Sequence, residues 1–140
     1  MHYLDTSVLV AALTNESRTG AIQRWLAAQG PGSLAISEWV ITEFSAALSM
    51  KLRQASIEPT HRVETLRVFN ALVEESFHVL AAGTTEFRVA ARFADQYKTG
   101  LRAGDALHLA IASGHGVDVV TLDRKLAKAA RSLGISCRLA

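Results

Sequence analysis

The chain has one cysteine, Cys137, in 140 residues. An intrachain disulfide is therefore impossible, and a cysteine-based zinc site is excluded. His2, His61, His78 and His115 show no metal-binding spacing such as HxxxH. Neither GxGxxG nor a P-loop occurs, which removes dinucleotide and NTP enzymes. The opening MHYLD has no basic run, and the apolar stretch Val8–Leu13 is short and interrupted by Thr14-Asn15-Glu16. No signal peptide or membrane span is expected, and the cytoplasm is the default location. Aromatics make up only 6%. The apolar mass is Ala, Leu, Val and Ile, which suits helices packed on a sheet.

Hydrophobic residues make up 49% and charged residues 20%, an ordinary globular composition. The length suits one domain, residues 1–140, with its own core. Net charge is +2 and the pI near 9.0, a weak hint of a nucleic-acid partner. Its distribution is more telling. Between Lys98 and Ala140 lie Lys98, Arg102, Arg124, Lys125, Lys128, Arg131 and Arg138, against only Asp105, Asp118 and Asp123. An acidic site in a neutral-to-basic surround suits a metal enzyme acting on phosphodiesters.

Apolar runs alternate with helical patterns. Strands are expected at Tyr3–Leu4, Ser33–Ile36, Phe77–Leu80, Val117–Leu122 and Ile135–Leu139. Helices are expected at Val8–Leu13, Arg18–Gln29, from the Ser37 cap to about Arg53, His61–Glu75, Thr84 to about Gly100, Ala103–Ser113 and Arg124–Leu133. Thr6 or Ser7 is the expected cap of the first helix. The alternation predicts an α/β fold: a mostly parallel sheet of about five strands, covered by helices on both faces.

Four acids stand out. Asp5, in LDTS, ends the first strand; Asp123, in VVTLDRK, follows the fourth; Asp105, in LRAGDALHLA, starts a helix apolar on nearly every side. Glu43 lies in the long helix. At roughly 100° per residue it borders the stripe of Val40, Ile41, Phe44, Ala47 and Leu48, whereas Glu38 falls on the polar side. Each has a bland explanation: a helix cap for Asp5 and Asp123, a dipole contact for Asp105, a rim position for Glu43. Together they are harder to dismiss, because ligands bind at the carboxyl ends of strands in open α/β sheets. Carboxylates converging there would repel one another without cations, and hard divalent metals prefer oxygen ligands. Ser7 is a candidate contact for a ligand water, and Arg102 and Arg124 for phosphate. His108, one turn past Asp105, reads as a satisfied core residue within reach of that aspartate.

YLDTSVLVA, the glutamate of ITEFSAAL, LRAGDALHLAIA and VVTLDRKL followed by AARSLGI together resemble the PIN-domain ribonucleases of the VapC toxin type. The likeness spans essentially the whole chain, and its last block is the loosest. It implies a three-layer PIN-like fold and Mg²⁺ or Mn²⁺ held by Asp5, Glu43, Asp105 and Asp123 as catalytic ligands. It also implies an RNA substrate, tRNA among the candidates, a cognate antitoxin and a homodimer. The alternative is a non-catalytic module of the same fold that binds RNA or protein. A receiver domain or haloacid-dehalogenase-type phosphatase also begins with a strand ending in Asp. The phosphatase requires a second Asp where Ser7 stands, and the receiver an Asp where Ala81-Ala82-Gly83 follows the third strand.

Overall fold

The computed structural model describes residues 1–140. Five short strands are β1 (His2–Leu4), β2 (Leu34–Ser37), β3 (His78–Leu80), β4 (Asp118–Thr121) and β5 (Cys137–Leu139). They form one sheet in the order β3-β2-β1-β4-β5, with every pairing parallel. Seven helices connect them: α1 (Thr6–Leu13), α2 (Thr19–Ala27), α3 (Glu38–Arg53), α4 (Pro59–Glu75), α5 (Thr84–Asp95), α6 (Ala103–His115) and α7 (Arg124–Ser132). The expected α/β architecture is the observed one.

From β1 the chain steps outward through β2 to β3, then returns to the other side of β1 for β4 and β5. Parallel crossovers are right-handed, so reversing the direction of travel puts α1–α4 and α5–α7 on opposite faces. The reversal falls between β1 and β4, and the crevice above their carboxyl ends is the fold's topological switch point.

The core is built mostly from aliphatic residues of the three central strands and the helices over them. Tyr3, Leu4, Leu9, Ile36, Val40, Phe44, Leu109, Ile111, Val119 and Val120 are almost fully buried. Phe44 of α3 stacks on Phe69 of α4, ring centroids 4.0 Å apart, joining these helices. Burying such a side chain contributes about 1.5–3 kcal/mol. In α6 every residue from Ala106 to Ala112 is buried, His108 included. A helix apolar all round must be central, and α6 is.

Three local expectations need correction. One helix from Thr84 to about Gly100 is instead α5, ending at Asp95, and a 3₁₀ turn, Tyr97–Thr99. Gln96 leaves helical geometry (ψ 67°), and Thr99 turns its hydroxyl back onto the Gln96 carbonyl at 2.9 Å. Gly100, at φ 70°, closes the turn in the left-handed conformation open to glycine. The expectation that all strands are covered fails at the edges. His78 and Val79 of β3 and Arg138 and Leu139 of β5 are exposed, because an edge strand has a neighbour on one side only. Finally, α1 is capped by Asp5, whose carboxylate accepts from the Val8 N–H at 3.4 Å, not by Thr6 or Ser7.

Candidate metal centre at the carboxyl edge of the sheet

Three central strands end the same way: an oxygen-bearing side chain at or just beyond the strand end caps the next helix. Asp5 follows β1 and caps α1; Ser37 ends β2 and caps α3; Asp123 lies just past β4 and caps α7. Asp123 Oδ1 accepts from the N–H groups of Lys125 (2.8 Å) and Leu126 (3.2 Å). The ordinary capping explanation of Asp5 and Asp123 is thus real, and it leaves open what else these carboxylates do.

Asp5 is 4% exposed. Its Oδ1 accepts from the Ser7 hydroxyl at 2.5 Å, and its Oδ2 from the Thr121 hydroxyl at the end of β4. Ser7 Oγ also accepts from the Leu122 N–H (3.0 Å), and Thr121 Oγ1 from the Asp123 N–H (2.9 Å). These bonds lock the ends of β1 and β4 together around one carboxylate. Burial nonetheless dominates and holds the Asp5 pKa above its ordinary value, against the Ser7, Thr121 and Val8 hydrogen bonds that oppose the rise.

Glu43 reaches the same edge from α3. Its Oε1 accepts from Thr6 Oγ1 (2.7 Å) and His108 Nε2. Burial works to raise its pKa, but the His108 and Thr6 contacts outweigh it, and the carboxyl lies below its usual range. His108 is the satisfied core residue expected, and the hydrogen bond to Asp105 within its reach is not made. From α6 its ring crosses to Glu43, and its other nitrogen, Nδ1, meets the Tyr3 hydroxyl at 2.8 Å. Asp105 lies in the first turn of α6. Burial raises its pKa; the Arg102 backbone opposes this, the Asp123 carboxylate adds to it, His108 opposes it, and Glu43 adds again.

Glu43, Asp105 and Asp123 line one cleft of about 550 Å³, with Trp39, Gly104, Arg102 and Lys125 among its other walls. Asp5 is not among the lining residues; it lies at the end of β1 next to Thr6, whose hydroxyl bonds Glu43. Arg124 is exposed and is not among the residues lining the cleft, whereas its neighbour Lys125 is. None of the four acids forms an ion pair with Lys or Arg, and Glu43 has only His108. As the side chains stand, no three acids or histidines gather tightly enough to share one ion.

The donor set tests whether a metal suits this place. Every candidate donor is a carboxylate oxygen, the preference of Mg²⁺ and Mn²⁺. No Lys or Arg pairs with any of the four acids, so an incoming cation would have no protein cation to displace. The residues fit a hard divalent ion. Thr6, Ser7, Thr121 and His108 are the surrounding hydrogen-bond partners, and sequence reasoning assigned none of them except Ser7 to the site. Thr6 and Ser7 adjoin Asp5, and Thr121 stands two residues before Asp123, so proximity was the only available signal.

The PIN domain profile matches residues 2–132. A search of curated proteins gives no match. Among solved structures, a Mycobacterium tuberculosis toxin described as the Sarcin-Ricin loop cleaving VapC20 superposes with a TM-score of 0.72 at 16% identity, covering 96% of both chains. VapBC2 from Rickettsia felis, bound to a DNA fragment from its promoter, gives 0.68 at 18% identity over 99% of this chain and 98% of that one. PAE2754 from Pyrobaculum aerophilum gives 0.67 at 24% identity over 91% and 83%. These identities speak for the fold, and the profile match speaks for the family: the chain belongs to the PIN domain family.

Proposed function

We propose that residues 1–140 form one PIN-like domain acting as a metal-dependent endoribonuclease, the toxin of a toxin–antitoxin pair. One observation carries this reading: Glu43, Asp105 and Asp123 line one cleft at the carboxyl edge of the sheet, with Asp5 buried at the end of β1, and no Lys or Arg is paired to any of the four. A purely binding surface for RNA would not bury an aspartate there.

Asp5, Glu43, Asp105 and Asp123 would hold Mg²⁺ or Mn²⁺. A bound ion of this kind supplies Lewis acidity, which activates a water and offsets negative charge growing on the phosphate. Arg102 and Lys125, on the wall of the same cleft, offer N–H donors to the phosphate backbone. One carboxylate takes the proton of the attacking water. The water oxygen bonds to phosphorus as the P–O3′ bond breaks, and the departing O3′ takes a proton from solvent water, leaving a 5′-phosphate and a 3′-hydroxyl. Ser7 and Thr121 keep the Asp5 carboxylate in place throughout.

A ribonuclease at large among cellular RNAs must be restrained, which supports a cytoplasmic antitoxin partner. The Rickettsia felis relative is a VapBC assembly on promoter DNA. An inserted Arg or Lys would block an acidic cleft readily. We extend the homodimer and the structured RNA substrate to this chain on the same family ground.

The test is cleavage of a structured RNA panel, tRNAs included, with Mg²⁺, with Mn²⁺ and with EDTA, the Asp5→Asn variant in parallel. Metal-dependent cutting that the variant loses is the expected result. Absence of both cutting and calorimetric metal binding would favour the non-catalytic binding module.

A further inference from the structure

His108 is the one polar side chain in the buried stretch of α6, 3% exposed. A buried imidazole needs partners for both ring nitrogens. One partner, Glu43, lines the cleft, and the other, Tyr3, is fully buried. The Ser37 and Tyr3 hydroxyls meet at 2.8 Å, and Tyr3 meets His108 Nδ1 at 2.8 Å. Glu43 Oε1 is an acceptor, so Nε2 carries the ring proton and donates to it. That leaves Nδ1 to accept from the Tyr3 hydroxyl. The chain Ser37–Tyr3–His108–Glu43 draws one residue each from β2, β1, α6 and α3, and all but the last are buried.

The two oxygens of Glu43 are treated differently. Oε1 receives both His108 and Thr6. Oε2 accepts no hydrogen bond and runs along Gly104, where an added Cβ would stand 3.3 Å from it and 3.3 Å from the Trp39 ring. The Trp39 indole N–H beside it is buried and unpartnered. Any side chain at position 104 would crowd the space that Oε2 faces.

The geometry points to His108, held by Tyr3, as a positioning residue that fixes Glu43 Oε1 and leaves Oε2 free for a divalent cation, with Gly104 keeping the approach open. This rests on the metal-centre reading above. It differs from a mere stitch between α3 and α6 because it predicts an effect on metal affinity that depends on one N–H donor. Outer hydrogen-bond partners of metal ligands matter by about 10–100-fold in affinity.

The test is Mn²⁺ binding, followed by electron paramagnetic resonance and calorimetry without RNA. His108→Leu keeps the volume and removes the donor, and is expected to weaken binding by about 10–100-fold. His108→Gln, whose amide N–H can replace Nε2–H, is expected to recover most of that loss. In a Glu43→Gln background, His108→Leu should add no further loss, since its effect runs through that carboxylate. Wild-type affinity in His108→Leu overturns the positioning role while leaving the metal centre standing; should that variant not fold, Tyr3→Phe takes its place under the same criterion. An additive loss in the Glu43→Gln background also overturns it. No Mn²⁺ binding by the wild-type protein overturns this inference and the metal-centre reading together.

Discussion

The strand pair β1–β4 carries an aspartate at each end, and the fold treats the two in opposite ways. At the amino end Asp118 is neutralised locally. His2 Nδ1 lies 2.9 Å from its carboxylate, Arg138 Nε lies 3.7 Å away, and Arg138 also donates to His2 Nε2 at 3.0 Å while stacking over Trp25. At the carboxyl end Asp5 is more deeply buried, yet it receives only hydroxyl and amide hydrogen bonds and no cation. One end is finished as structure. The other is left with uncompensated charge, which is unfavourable for the protein alone and useful for binding a metal.

Removing one acid from the carboxyl-edge cleft and one from the amino end tests this contrast most strongly. Asp105→Asn is expected to reduce RNA cleavage by more than about a hundredfold, since losing a metal ligand should exceed the loss from an outer partner. Asp118→Asn should leave cleavage at the wild-type rate. Equal losses in both would erase the distinction between the ends.

Next in size is the response to metal. At a hundredfold excess over Kd, Mg²⁺ should stabilise the wild-type protein by about 2.7 kcal/mol, read as a rise in Tm. Asp118→Asn should show the same rise, and Asp105→Asn little of it.

A pH series sharpens the picture within the site. Asp5 and Asp105 have pKa values raised in the fold above 3.8. Their contribution to stability is therefore full below that value and lost as pH rises through the folded pKa. In metal-free buffer at pH 7, Asp5→Asn should melt no lower than wild type, and its advantage should vanish below pH 3.8; asparagine caps a helix as well as aspartate. Glu43 has the opposite sign. Its pKa is lowered below 4.5, so its contribution is present above that value and lost as pH falls. Glu43→Gln should melt lower than wild type at pH 7. Melting curves from pH 3 to 8 separate the two patterns.

The smallest effect is on stability at the amino end. Asp118→Asn weakens the partly buried contacts with His2 and Arg138 and should cost about 1 kcal/mol or less in a denaturant titration.

Strand–helix alternation, a nearly all-apolar α6 and the single inward glutamate of α3 were legible because burial writes a period into the sequence. The edge strands were legible as strands, but their exposure was not, because it depends on strand order, which no local pattern contains. The break at Gln96 was equally hidden: nothing in FADQYKTG forbids a continuous helix, and only the turn closed by Gly100 sets it.

At the candidate site the same division holds. The sequence by itself determined which residues carry charge, where strands end and which helix must be central, since these follow from composition and periodicity along the chain. Only the tertiary structure decided that His108 turns to Glu43 rather than to Asp105, that Thr121 bonds Asp5, and that Lys125 rather than Arg124 lines the cleft. Those pairings join residues up to 116 positions apart. They exist because parallel crossovers bring the carboxyl ends of distant strands to one edge, a fact of three-dimensional packing.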